Sequence, residues 1–256
     1  HSRKKMMCEI MATKKPTVGI IGLGPVGSIL AAHLAKSKID VVVQDAMPNI
    51  RLKVKQDGIN VTGITQISAH IGKIATSISE LAEFGAEMVF IVTKACYLKD
   101  ILPEIKRTYN PKMKIVSFQN GLDNERLIAE QLGISTTYRA VINYAGNLAG
   151  PGNAVMNWFQ PPNYVGAFHQ GKYSIDDTTS RIASMLTEAE LKTEESPNIK
   201  KHIWEKGILN AALCSICSVT GQTMKEAMEF EHSRTLAINI LEEGLKVAKA
   251  DGYDFG

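Results

Sequence analysis

Thr17-Val18-Gly19-Ile20-Ile21-Gly22-Leu23-Gly24-Pro25-Val26-Gly27-Ser28 decides the fold: a β-branched apolar run feeds a glycine pattern that opens a helix. Gly22 permits the tight turn out of a strand, Gly24 lets bare backbone approach a pyrophosphate, and Gly27 lets the helix lie close against the sheet. The phosphates then sit on the helix N-terminus, where unpaired N–H groups and the helix dipole favour negative charge. A lone GxGxxG also occurs in structural turns, so its surroundings carry the reading. Ser28 to Lys38 reads as a helix with Ile29, Leu30, Leu34 and Ala35 on one face, and Asp40-Val41-Val42-Val43-Gln44-Asp45 as a buried parallel strand. Strand, glycine turn, helix, strand and terminal acid predict a dinucleotide cofactor, NAD or NADP, held by Gly22, Leu23, Gly24, Pro25, Val26 and Gly27.

The chain has 256 residues and is 45% hydrophobic, enough to bury a sizeable core. A net charge of +3, with its basic residues interspersed among acids, gives no footprint for nucleic acid or an anionic membrane. Four cysteines without regular spacing make no disulfide framework and point to a reducing, cytoplasmic setting. Cys214 and Cys217 form a CxxC without a second pair, in a helical stretch lined by Ala211, Leu213 and Ile216, so core packing is the expectation and a metal is not. No apolar run reaches the roughly 20 residues that span a bilayer. His1 to Lys15 reads as a polar, flexible lead-in.

Beyond Asp45 the pattern predicts a helix through Lys55, a hairpin from residues 58–63 and 67–74, and a short helix from Ser77, capped by it, to Glu83. Next come a strand over residues 87–94, a helix from Cys96 to Thr108 distorted or delayed by Pro103, a strand over 114–118 and a helix from Leu122 to Leu132. This rhythm predicts an α/β fold with a doubly wound parallel sheet. Ser135 to Phe168, rich in Gly, Asn, Pro and aromatics, suits extra antiparallel strands at the sheet edge. From Ile175 the pattern is helical, with long periodic stretches over 196–219 and 230–250. These patterns divide the chain into a lead-in (1–15), a dinucleotide-binding domain with extra edge strands (16–195) and a mostly helical C-terminal domain (196–256).

Ligands of open parallel sheets bind at the carboxyl ends of the strands, which singles out polar residues there. Asp45 can accept hydrogen bonds from ribose hydroxyls and repel a 2′-phosphate, favouring NAD, or it can cap the next helix. Arg51 and Lys53, a turn or more into that helix, are within reach of a 2′-phosphate. Lys94 either faces cofactor phosphates or a substrate carboxylate, or is a solvated surface lysine. Asn120, before Gly121, is either a turn residue or an amide aimed at the nicotinamide ribose and substrate. Lys206 and Asn210 share one helix face a turn apart among apolar residues, so the lysine either snorkels to solvent or points into a cleft.

The glycine turn, Val92-Thr93-Lys94, Gln119-Asn120-Gly121 and Trp204-x-Lys206-x3-Asn210 occur in this order and spacing in ketopantoate reductases, and the chain is similar to that family over nearly its full length. The resemblance implies an N-terminal Rossmann-type domain joined to a helical one, with the active site between them and a homodimer paired through the helices. It implies reduction of the keto acid 2-dehydropantoate to pantoate with NADPH, a step toward pantothenate and coenzyme A. It further implies Lys206 as proton donor, Asn210 as substrate ligand, Asn120 as a contact to cofactor and substrate, and backbone contact to the cofactor at Ala145 in the Asn143-Tyr144-Ala145-Gly146 turn. Cys214 stands where the family has a second helix asparagine that meets substrate, and Asp45 where it commonly has arginine. In the family a segment beyond the position of Gly256 supplies a serine for substrate and a glutamate near the nicotinamide. Rival readings are a related dehydrogenase of another small oxo or hydroxy acid, and a non-catalytic dinucleotide-binding protein.

Overall fold

The computed structural model describes residues 15–255; most of the expected lead-in lies outside them. The elements run β1 (Val18–Ile21), α1 (Pro25–Lys36), β2 (Val41–Gln44), α2 (Pro48–Asp57), β3 (Ile59–Gly63), β4 (Ile67–Ala69), β5 (Lys73–Ala75), α3 (Glu80–Glu83), β6 (Met88–Ile91), α4 (Leu98–Thr108) and β7 (Lys114–Ser117). There follow α5 (Asn124–Leu132), β8 (Thr136–Val141), β9 (Tyr144–Gly150), β10 (Asn153–Phe159), β11 (Asn163–His169), β12 (Lys172–Ser174), α6 (Asp177–Glu188) and β13 (Thr193–Glu195). The rest is helical: α7 (Ile199–Leu209), a π-helical turn (Asn210–Cys214), α8 (Ser215–Thr220), α9 (Met224–Glu229) and α10 (Glu231–Ala250).

The main sheet has the order β12-β11-β8-β7-β6-β1-β2-β5, with β13 beside β11. Its six members from β5 to β8 are mutually parallel, and the order reverses between β1 and β6, where a doubly wound sheet opens its ligand crevice. One face is covered by α1 and α6, with Ile29, Leu30 and Ile182 packed on Val18, Ile20 and Val165. The other face lies under α3, α4 and α5, through Leu81, Leu98, Leu102, Ile105 and Ile128.

Several expectations change. The second arm of the predicted hairpin divides: β4 pairs antiparallel with β3, whereas Lys73–Ala75 joins the main sheet parallel to β2. Ser135 to Phe168 is not a simple antiparallel edge. Its first strand, β8, extends the parallel sheet, β11 returns antiparallel beside it, and β9 and β10 leave to form a second sheet of order β4-β3-β10-β9. That small sheet explains why α1, expected to bury one face, is buried at every position from Gly27 to Leu34: Ile59, Val61, Ile67 and Met156 cover the face the main sheet does not. Helix α1 also begins at Pro25, whose fixed φ and missing N–H suit the first helical position. Ser79, not Ser77, precedes α3, because the Ile78 and Ser79 N–H groups turn to the Glu104 carboxylate. A 3₁₀ turn over Ala95–Tyr97 precedes α4, which holds Pro103 in its interior. The helical tail is interrupted by β13, paired parallel with β11.

Helix α7 lies on β8 and β11, with Ile199 and Ile203 against Val141 and Tyr164, and Tyr164 stacks on His202 with ring centroids 3.7 Å apart. Helix α10 supports α7 from outside through Trp204, Ile208 and Ala248, and the Trp204 indole N–H donates to Asp251 at 2.8 Å. No helix among the described residues is long and apolar enough to cross a membrane.

Candidate active site

Strand register builds the site. Ile21 pairs with Ile91, Ile91 with Ser117, and Ser117 with Arg139, so these four form one row across β1, β6, β7 and β8. Three residues further along each chain lie Gly24, Lys94, Asn120 and Ile142, all past the carboxyl ends of parallel strands. The rim from β1 to β8 is three strand spacings, roughly 14 Å. Thr93 and Gln119 tie it together: the Gln119 amide donates to the Thr93 carbonyl and hydroxyl at 2.9 and 3.1 Å.

At the β1 end, Gly22 adopts φ +101°, a left-handed conformation that side chains resist. A Cβ on Gly27 would overlap the Gly22 carbonyl oxygen, whereas one on Gly24 would meet nothing within 4 Å. No side chain caps the first turn of α1, so its amides face the open crevice, and the buried Gln119 Oε1 has no partner among the described residues. An uncapped helix start, an empty cradle above bare backbone and a spare acceptor fit a dinucleotide. Asp45 turns its carboxylate into this corner, accepting the Leu23 N–H at 2.7 Å and the Met47 N–H at 2.9 Å. It is therefore not the cap of α2, whose preceding residue is Met47. Arg51 folds back to donate to the Asp45 and Ala46 carbonyls. Lys94 is exposed at the rim.

At the β8 end, Asn120, Lys206 and Asn210 line one cleft together with Gly121, Arg139 and Ile203. The Lys206 amine does not snorkel outward; it donates to the Ile142 carbonyl just past β8. Burial there pushes its pKa down to about 8, the neighbouring Arg139 charge adds to the fall, and Cys214 opposes it. Asn210 opens the π-helical turn, a distortion that often marks functional positions. Cys214 ends that turn and is exposed rather than packed in a core, with its thiol donating to Asn210 Oδ1 at 3.7 Å. Cys217 is half-buried beside Ile216, Ala227 and Ala237. Ala145 stands in β9, not in a turn. The preceding Tyr144 reaches the glycine turn, donating its hydroxyl to the Val26 carbonyl at 3.2 Å.

Sequence reasoning passed over Arg139, buried on β8 in the middle of the site, although a charge inside the run Tyr138-Arg139-Ala140-Val141 was the available signal. A larger hollow of about 720 Å³ lies beyond the Lys200–Asp123 ion pair. Its charged walls are mutually satisfied: Arg126 pairs with Glu130, and Asp251 accepts from Trp204.

Residues 18–170 match the family model described as ketopantoate reductase PanE/ApbA, and residues 198–256 match that of its C-terminal part. A 2-dehydropantoate 2-reductase of Streptococcus pyogenes serotype M1 is 25% identical over 239 residues, covering 93% of this chain and 75% of that protein. One from Pyrococcus abyssi is 24% identical over 240 residues, 92% and 75% of the two chains. Among solved structures, a PanE/ApbA family ketopantoate reductase from Ralstonia eutropha superposes with a TM-score of 0.81 at 21% identity, over 93% of this chain and 76% of that one. A D-mandelate dehydrogenase with NADH and anilino(oxo)acetate gives 0.78 at 20% identity, over 93% and 75%.

Proposed function

Because this chain belongs to the ketopantoate reductase family, we propose that it reduces the ketone of 2-dehydropantoate to the alcohol of pantoate with a nicotinamide dinucleotide, on the way to pantothenate and coenzyme A. The observation that carries this reading is the Lys206 amine, brought by a helix from the C-terminal part to the same rim as the glycine turn. Gly22 to Gly27, Asp45, Lys94, Asn120 and the backbone at Ala145 would hold the dinucleotide, which supplies the hydride when bound. Lys206 as ammonium stabilises the oxygen on which negative charge develops and then gives it a proton. Asn120 and Asn210 orient the substrate's carboxylate and hydroxyl, and such alignment is worth several kcal/mol, on the order of 7 in well-oriented systems.

Following dinucleotide absorbance with a panel of 2-oxo acids tests the reading. The highest kcat/KM is expected for 2-dehydropantoate, and dinucleotide binding without turnover of any oxo acid would overturn it. Cys214 favours a second reading, a different small 2-oxo acid, since a thiol is a weak hydrogen-bond partner for a substrate hydroxyl; the same panel separates the two.

The proton donor sets the pH dependence. Its charged form is lost as pH rises through about 8 rather than in the ordinary lysine range, so kcat for reduction is expected to fall through that pH. Oxidation of the hydroxy acid needs the neutral amine and is expected to rise through it. Rate profiles that are flat through this region in both directions would remove Lys206 from proton transfer.

For the cofactor, Asp45 presents a carboxylate fixed by two backbone N–H groups where the adenosine ribose would lie, so NADH is expected to bind more tightly than NADPH. A like-charge contact costs on the order of 1 kcal/mol near water, a several-fold difference in Kd. Fluorescence titrations with both dinucleotides check this, and tighter NADPH would assign Arg51 to the 2′-phosphate.

A further inference from the structure

Arg139 takes no part in the binding and proton transfer assigned above to its neighbours, and any role for it in the reduction rests on Lys206 being the proton donor. Arg139 stands opposite Ser117 on β8, with its side chain 3% exposed, and lines the cleft with Asn120, Lys206 and Asn210. Its Nη2 donates to the Gly121 carbonyl at 2.8 Å, and its Nη1 donates to Glu125 Oε2 at 3.2 Å and to Ser117 Oγ at 3.4 Å. Glu125, at the start of α5, is fully buried and accepts the Tyr173 hydroxyl at 2.5 Å on its other oxygen. The guanidinium Nε has no partner among the described residues. A buried ion pair of this kind is weak evidence for stability, because apolar residues of similar volume often do as well. Its placement is informative: one arm grips the turn that carries Asn120, and the whole cation sits beside the Lys206 amine.

We propose that Arg139 is a positioning residue for the reduction: anchored on Glu125 and Tyr173, it clamps the Gly121 carbonyl so that Asn120 stays in the Lys206 cleft, and it holds a fixed positive charge next to the amine. A neighbouring cation disfavours the ammonium form and readies Lys206 to release its proton. The titratable and charged groups acting on the amine are Arg139 from β8 and Cys214 from the π-helical turn. Glu125, Asp123 and Tyr173 act on the guanidinium.

Two variants of the whole chain separate the clamp from the charge. Arg139→Lys keeps the charge but lacks the fork that holds Gly121 and Glu125 together. The double variant Arg139→Met/Glu125→Gln removes both charges, sparing the fold a lone buried carboxylate and leaving Tyr173 an acceptor. Titration of Lys206 by pH-dependent acetylation, read by mass spectrometry of its peptide, accompanies KM and kcat measurements against pH. In the double variant the Lys206 midpoint is expected to rise by roughly half a pH unit or more, and the alkaline fall of kcat moves with it. In Arg139→Lys the midpoint stays near the parent's while KM for the oxo acid rises several-fold. Folded variants that keep the parent's midpoint and KM would reduce Arg139 to a structural residue. A midpoint that moves in a chain that turns over no oxo acid would uphold the coupling and sink the proposed reaction.

Discussion

Lys206→Ala is expected to lower kcat for oxo-acid reduction by about a hundredfold or more, close to 2.7 kcal/mol of transition-state stabilisation, while dinucleotide affinity changes by less than about twofold. The two halves of this expectation have separate origins. The amine sits at the β8 end of the rim, on the Ile142 carbonyl, whereas the glycine turn and Asp45 sit at the β1 end, three strands away, so the loss falls on chemistry and not on cofactor binding. The fold does not depend on the lysine either. Helix α7 is held by Ile199 and Ile203 on the sheet and by Trp204 and Ile208 under α10, and removing a half-buried cation relieves a desolvation cost. Thermal stability is therefore expected to stay level or rise. Steady-state rates at saturating dinucleotide, with Kd measured separately, make the comparison. Equal turnover in parent and variant would take Lys206 out of the reaction and return it to the role of an ordinary amphipathic side chain.

The parts of the molecule written in local pattern were legible in the sequence. Four β-branched or apolar runs alternating with helices foretold the core of the parallel sheet, because a strand buried on both faces must be apolar throughout. Helical spacing put Lys206 and Asn210 on one face but left open whether the lysine met solvent or a cleft. It was the resemblance of the Trp204-x-Lys206-x3-Asn210 run to ketopantoate reductases that gave them their expected roles. What escaped depends on pairings between distant residues. Nothing local distinguishes β8, which extends the parallel sheet, from β9 and β10, which leave it; the choice is made by where α1 needs a second apolar cover. Arg139 escaped for the same reason, since its meaning comes from Gly121 and Glu125, 18 and 14 residues away. The π-helical turn at Asn210 has no signature in the run Asn210-Ala211-Ala212-Leu213-Cys214, and it alters where Asn210 and Cys214 stand relative to Lys206.

Gly24→Ala and Gly27→Ala are expected to damage dinucleotide binding by different routes, and the contrast tests the cofactor site apart from the chemistry. Gly24 has φ −64° and ψ −174°, a conformation alanine adopts freely, and a methyl there meets nothing within 4 Å. The folded chain therefore gains a little from a stiffer unfolded state, about 0.4–1 kcal/mol. That methyl nevertheless occupies the space above bare backbone where a pyrophosphate would rest, so Kd for the dinucleotide is expected to rise at least tenfold with melting temperature level or higher. At Gly27 the added methyl collides with the Gly22 carbonyl oxygen, a backbone atom that cannot swing aside. Helix α1 must then lift from β1 while wedged between the two sheets, at a cost of roughly 1–3 kcal/mol. Gly27→Ala is expected to lose both melting temperature and affinity. If Gly24→Ala binds NADH and NADPH as the parent does, the phosphates do not lie on this turn, and the crevice between β1 and β6 holds something else.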